Sequence, residues 1–191
     1  MRKHGEYETL QLQEDAGFAS GEYFVKSSGP REAEIIREAI LTTKDGDFPL
    51  SLTKRISTGS APRGCEVACE VGIKLKHPLE RAVIVGIESV INLLAPAEGN
   101  RFFETQEGPR NLRFSGELPG PILRMEDGWQ CLRIALHAPG TENFWIAPIE
   151  TVSESEEGFE RVYQGSQILA RWKLSTEKVF SARLVWRIET F

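Results

Sequence analysis

The chain has 191 residues, of which 40% are hydrophobic and 27% charged, which is enough for one sizeable domain with the balance of a water-soluble globular protein. A formal net charge of −5 and a pI near 5.4 exclude the basic surface that a nucleic-acid partner requires. No apolar run is long enough to span a bilayer, since the best, Ala82 to Leu94, is short and carries Glu88 and Asn92.

Residues 1–19 are polar and lack the apolar stretch of a secretory leader, and they read as a terminal segment of the kind that is often poorly ordered. Residues 20–191 read as a single domain, because no repeat, low-complexity tract or composition shift marks a boundary. In Arg31 to Leu41, Ile35, Ile36, Ala39 and Ile40 stand at helical spacing, and propensity favours a helix. The neighbouring segments favour a strand: Lys44-Asp45-Gly46-Asp47 is a hairpin-type turn and Leu50 to Ile56 alternates. The expectation for 31–41 is therefore a strand.

Alternation continues from there. In Val67 to Lys76 the odd positions are apolar, which predicts a half-buried strand, and His77-Pro78 ends it. Cys65 and Cys69, four residues apart on such a strand, would be separated by roughly 13 Å, too far for a disulfide or a shared metal. An odd count of three cysteines without a framework fits reduced side chains and a cytoplasmic location. Ala82 to Leu94 is apolar on both faces, which predicts a central strand. Trp129 to His137, Gln167 to Leu174 and Val179 to Ile188 alternate again. Turn signals such as Glu126-Asp127-Gly128 and Ala138-Pro139-Gly140 separate the segments. Many strands, polar turns and no long helix predict an all-β sandwich.

The least ordinary stretch runs from Trp145 to Trp172, where an acidic, hydroxyl-rich loop lies between aromatic segments. Its carboxylates, Glu150, Glu154, Glu156, Glu157 and Glu160, admit two readings. One is a solvated loop in which Glu150 and Glu160 are tied to Arg161 and backbone N–H groups. The other is a sugar-contacting loop helped by Trp145, Tyr163 and Gln164, since sugar rings stack on aromatic faces and their hydroxyls pair with Glu, Gln and Arg. Proximity in sequence does not supply the paired-carboxylate geometry of a glycosidase, so no catalytic residue is assigned. The spacing of carboxylates gives no Asp-x-Asp-x-Asp loop, and no histidine pair has metal-ligand spacing. Neither a metal nor a cofactor is expected. A mutarotase-like site would require His137 to meet Glu88 or Glu150. Trp129, beside a turn, is a further aromatic candidate, whereas Trp172 and Trp186 follow strand alternation into the core.

The run Pro148 to Ser166, Pro-Ile-Glu-Thr-Val-Ser-Glu-Ser-Glu-Glu-Gly-Phe-Glu-Arg-Val-Tyr-Gln-Gly-Ser, resembles a signature near the end of the C-terminal β-sandwich domain in the glycoside hydrolase family that contains 4-α-glucanotransferases and heat-stable α-amylases. Gly86 to Leu94 followed by Phe102-Phe103, Leu50 to Ile56, and the Asp127-Gly128-Trp129 turn are similar too. The resemblance covers roughly residues 20–190. It implies a large twisted sandwich of the galactose mutarotase kind, short of its first strands. It also implies a catalytic (β/α) barrel elsewhere, for which this chain has neither the pattern nor the length. The expected role is that of a non-catalytic accessory domain whose partners are the catalytic barrel and an α-glucan or other carbohydrate, with no nucleic acid and no membrane. The residues expected at a carbohydrate or domain interface are Trp145, Glu150, Glu154, Glu156, Arg161, Tyr163 and Gln164. A purely structural domain and an aldose epimerase are the alternatives.

Overall fold

The computed structural model describes residues 3–155 and 158–191, so Glu156 and Glu157 of the acidic cluster lie outside the described residues. A short helix, α1 (His4–Glu8), precedes the strands. These are β1 (Phe24–Ser28), β2 (Glu32–Thr43), β3 (Gly46–Ala61), β4 (Gly64–Leu75), β5 (Val83–Ile91), β6 (Arg101–Glu104), β7 (Arg110–Asn111), β8 (Gly116–Pro119), β9 (Ile122–Asp127), β10 (Leu132–His137), β11 (Asn143–Ser155), β12 (Gly158–Leu174) and β13 (Val179–Thr190). Among the described residues they form two antiparallel sheets. The large sheet has the order β1-β2-β3-β4-β13-β10-β9-β6-β7, and the small sheet has the order β5-β12-β11-β8. The all-β sandwich expected from alternation is the observed fold.

Period-two alternation fixes which side chains meet between the sheets. From the large sheet come Leu52, Ile73, Leu184, Leu136 and Phe103, and from the small sheet Phe144, Ile146, Ile168 and Ala170, all nearly inaccessible to solvent. The register carries this through: Ala182 pairs with Val71, Leu184 with Cys69, and Ile134 with Met125. Glu32–Thr43 is a strand despite its helical propensity, because its whole length is laddered onto β3 and tertiary pairing overrides a weak local preference. Gly46 sits in the hairpin turn between them at φ +125°, a conformation other residues resist. At Gly64 a Cβ would fall 1.8 Å from the Ile188 carbonyl oxygen, so β4 and β13 can close there only because that side chain is absent.

One expectation fails. The two apolar faces of Ala82 to Leu94 predict a central strand, but β5 is the edge of the small sheet. Val85 and Ile87 face the core, while Ile84 and Val90 on the other face are 43% and 57% exposed. Its second apolar face therefore meets no second layer, and apolar content alone could not distinguish the two cases.

The polar start of the chain is held against the small sheet. Tyr7 on α1 packs on Trp145 and Ala147, with Leu12 and Leu169 at the margin. His4 Nε2 lies 2.9 Å from the Ile146 carbonyl oxygen, and the Gln167 side-chain amide donates to the Tyr7 carbonyl at 3.2 Å.

Candidate functional site

The signature run folds into the far halves of β11 and β12. Up to Ile146, β11 is flanked by β8 as well as β12, and β12 is flanked by β5 from Ser166 onward. Between Glu150 and Tyr163 the two strands pair only with each other, so they leave the sandwich as a ribbon. A register shift between Ile149 and Glu150 marks the point of departure, and bulges of this kind bend and twist a ribbon. Val152, Phe159 and Val162 on it are 60%, 81% and 39% exposed. A bare two-stranded hairpin is marginal in water, and this one carries exposed apolar side chains.

Glu150 stands at the base of the ribbon. One of its oxygens takes the Arg113 guanidinium and the other the Arg161 guanidinium, the latter at 3.5 Å. Arg113 also donates to the Arg161 carbonyl oxygen at 3.3 Å. Both oxygens of this carboxylate are thus engaged in fixing β7–β8 connecting chain to the ribbon. Tyr163, opposite Glu150 in the register, is turned inward and buried. Its hydroxyl lies 2.8 Å from Ser166 Oγ, which itself lies 3.1 Å from the Leu112 carbonyl oxygen. Ser166 has one hydroxyl proton and gives it to Leu112, so Tyr163 is the donor to Ser166. Burial pushes the Tyr163 phenol above its ordinary pKa despite that bond. Gln164 donates to Thr151 Oγ1 at 3.1 Å across the ribbon. Glu154 is exposed opposite Phe159.

The structure therefore brings together Glu150, Arg161, Tyr163 and Gln164, and places Glu154 farther out on the same ribbon. Trp145 is elsewhere: it points to the outer face of the small sheet, beneath α1, and is 3% exposed. Trp129 is 77% exposed in the β9–β10 turn, where its backbone N–H and that of Gln130 donate to Asp127. Asp127 is buried and paired with Arg101 at 3.0 Å.

The histidine–glutamate pair of an epimerase is not assembled. His137 lies on β10, opposite Val185 and Ile122, on the outer face of the large sheet. Burial, followed by the charges of Arg187 and Arg124, pushes its imidazole below the usual value. Glu88 lies on β5 at the outer face of the small sheet, beside Leu169 in the register, and Glu150 belongs to the ribbon. The sandwich core separates His137 from Glu88. The outer face of the large sheet is a shelf of paired charges, including Arg55 with Glu34 and Arg183 with Glu70, which is how a solvated sheet face satisfies itself. Among the described residues no group of three His, Cys, Asp or Glu side chains is placed to hold a metal ion, and no helix is long and apolar enough to cross a membrane.

The sequence reading did not identify Arg171. It falls on the polar positions of the 167–174 alternation, which reads as solvent-facing, yet it is 5% exposed. Its Nη1 donates to Asn143 Oδ1 at 3.0 Å, and its guanidinium carbon lies 3.7 Å from the centre of the Trp145 ring.

The family model described as alpha-amylase/4-alpha-glucanotransferase, C-terminal, matches residues 2–185. Among curated proteins, none matches the sequence. The fold is similar to the 4-alpha-glucanotransferase of Thermococcus litoralis, with a TM-score of 0.74 at 15% identity, covering 100% of this chain but 26% of that one. It is also similar to a putative aldose 1-epimerase from Escherichia coli K12, with a TM-score of 0.63 at 10% identity over 90% of this chain and 69% of that one. A GalM/aldose epimerase homologue from C. elegans gives 0.60 at 10% identity over 89% and 69%. The chain thus spans about a quarter of the glucanotransferase, and at these identities the structural likenesses establish the fold.

Proposed function

The chain belongs to the family of alpha-amylase/4-alpha-glucanotransferase C-terminal domains, and from that membership we propose that it is a non-catalytic accessory domain serving an α-glucan-processing enzyme. It packs on the catalytic domain and contributes to holding the glucan chain near it. The observation that carries this reading is the family match across residues 2–185.

The β11–β12 ribbon is the contact to that domain. Its support is the pairing pattern, in which, among the described residues, 150–155 and 158–163 leave the sandwich with no flanking strand, together with the exposed Val152 and Phe159. Both project from one face of the ribbon, with Glu150 and Tyr163 at its base, and an apolar pair between polar neighbours is typical of an interface core with a polar rim. Glu150 and Arg161 set the angle of the ribbon, and Glu154 and Gln164 belong to its polar border. Three unpaired cysteines support a reducing, cytoplasmic compartment.

The test is a comparison of the complete enzyme with its Phe159→Ser variant. Domain association and glucan transfer weaken together in the variant, while the thermal midpoint of the isolated domain is unchanged. Wild-type association in the variant contradicts the assignment of the ribbon. Glucan contact is read separately, by retardation of the chain in native gels containing glycogen.

A further inference from the structure

We propose that the outer face of the small sheet carries a binding site for a neutral sugar unit, built around Arg171 and Trp145. This inference rests on the reading of the chain as part of an α-glucan-processing enzyme, but its location is independent of the ribbon. A cavity of about 420 Å³ lies between β8, β11 and the start of the chain. It is lined by Lys3, His4, Glu117, Glu142, Asn143 and Arg171, with Trp145 at its base. That volume lies in the range of small-molecule sites.

The decisive feature is unspent hydrogen-bonding capacity. Arg171 is almost wholly buried, and burial pushes its guanidinium below the ordinary value. Among the described residues it has no carboxylate at ion-pair distance; Glu117 and Glu142 act on it from farther away. Of its side-chain donors, Nη1 is used by Asn143, while Nε and Nη2 have no protein acceptor. Asn143 and the face of the Trp145 ring serve one side of the guanidinium, which leaves its remaining donors for a ligand in the cavity. The indole N–H of Trp145 is also buried without an acceptor. By contrast, Glu34, Glu70, Glu126 and Glu150 all have their arginines.

The lining selects the ligand class. An anion that satisfied Arg171 would meet the carboxylates of Glu117 and Glu142. A divalent cation drawn by those carboxylates would meet Arg171 and Lys3. An apolar molecule would leave every one of these groups unsatisfied. A neutral polyol satisfies both sets, because a hydroxyl accepts from a guanidinium and donates to a carboxylate at once. Asn143 already links the two sets, accepting from Arg171 and donating to Glu117 Oε2 at 2.8 Å. Arg171 occupies one face of the indole, and Tyr7 and His4 pack edge-on and tilted against Trp145. The sugar is therefore bound by its hydroxyls at the rim and not by stacking on that ring. Residues Lys3 and His4 form one wall, so the N-terminal segment completes the site.

The test is a maltose titration of the isotope-labelled full chain, followed at the indole N–H resonance of Trp145. That resonance is identified by its loss in Trp145→Phe. The expected result is a saturable shift. Glu117→Gln and Glu142→Gln, both at exposed positions, weaken binding about tenfold each, with unchanged thermal midpoints. Three results overturn the proposal: no shift as maltose approaches its solubility, a shift reproduced by inorganic phosphate, or wild-type affinity in both glutamine variants. Retardation by glycogen with an unmoved Trp145 resonance overturns this site and leaves the accessory-domain reading standing. Wild-type association in Phe159→Ser with the Trp145 shift intact overturns the ribbon contact and leaves this site standing.

Discussion

The guanidinium carbon of Arg171 stands 3.7 Å from the centre of the Trp145 ring, on a sheet face sealed by Tyr7 from a helix near the other end of the chain. The planar guanidinium suits both contacts it makes, over the indole and to Asn143, and an ammonium does not reproduce either geometry. Arg171→Lys lowers stability by about 1–2 kcal/mol, measured as the shift of the urea midpoint. An unchanged midpoint would show that the contact contributes nothing to folding.

The alkaline limb of stability depends on Tyr7. Burial first, then the charge and hydrogen bonding of the neighbouring Glu88, push its phenol far above the ordinary value. A group whose folded pKa is raised contributes stability that is fully present below its unfolded value, about 10 for tyrosine, and lost as pH rises above it. Tyr7→Phe keeps the packed ring and removes the titrating hydroxyl, so stability at neutral pH changes by no more than about 1 kcal/mol. It also reduces the loss above pH of about 10. Tyr163, whose pKa is raised by burial too, retains its share. Urea midpoints at neutral and alkaline pH check both effects.

Asp127 governs the acid limb. Burial by itself would raise its carboxyl, but the Gln130 N–H, then Arg101, then the Trp129 N–H hold it below the usual carboxylate range. The folded pKa is depressed, so its contribution is present above the unfolded value of about 3.9 and disappears as pH falls through the folded one. Asp127→Asn leaves Arg101 buried without its partner and costs about 3 kcal/mol at neutral pH. It also flattens the stability profile below pH of about 4, as followed by urea unfolding across acid pH.

Much of this architecture was legible in the sequence because a sandwich is written in period two. Val67 to Leu75, Ile168 to Leu174 and Phe180 to Ile188 show their core faces directly, and the register confirms them. The signature run reads as an acidic loop, yet its described residues belong to strands β11 and β12, while the expected tie between Glu150 and Arg161 is present. What alternation cannot show is a third layer supplied from afar. Arg171 and Gln167 read as solvent-facing because nothing near them in sequence reveals that Tyr7 and Leu12 lie over that face. The same blindness made β5 look central: two apolar faces say that a strand could be covered twice, not that it is. The pairing of Arg113 with Glu150 joins residues far apart in the chain and had no local signal.

The epimerase alternative predicts catalysis that this arrangement does not supply. His137 and Glu88 face away from each other across the core, so the pair that could move the ring-opening proton is not formed by these two residues. Polarimetry of freshly dissolved α-glucose is expected to give the uncatalysed rate in the presence of the chain. A protein-dependent acceleration that disappears in His137→Ala would restore that alternative.

The central claim is that the domain serves a catalytic domain through the β11–β12 ribbon. Hydrogen exchange, compared between the isolated chain and the complete enzyme, tests it most directly. The described ribbon amides, 151–155 and 158–162, that have no flanking strand should exchange quickly in the isolated chain and become protected in the complete enzyme, with β13 unchanged. Equal exchange of those amides in both forms would contradict the account.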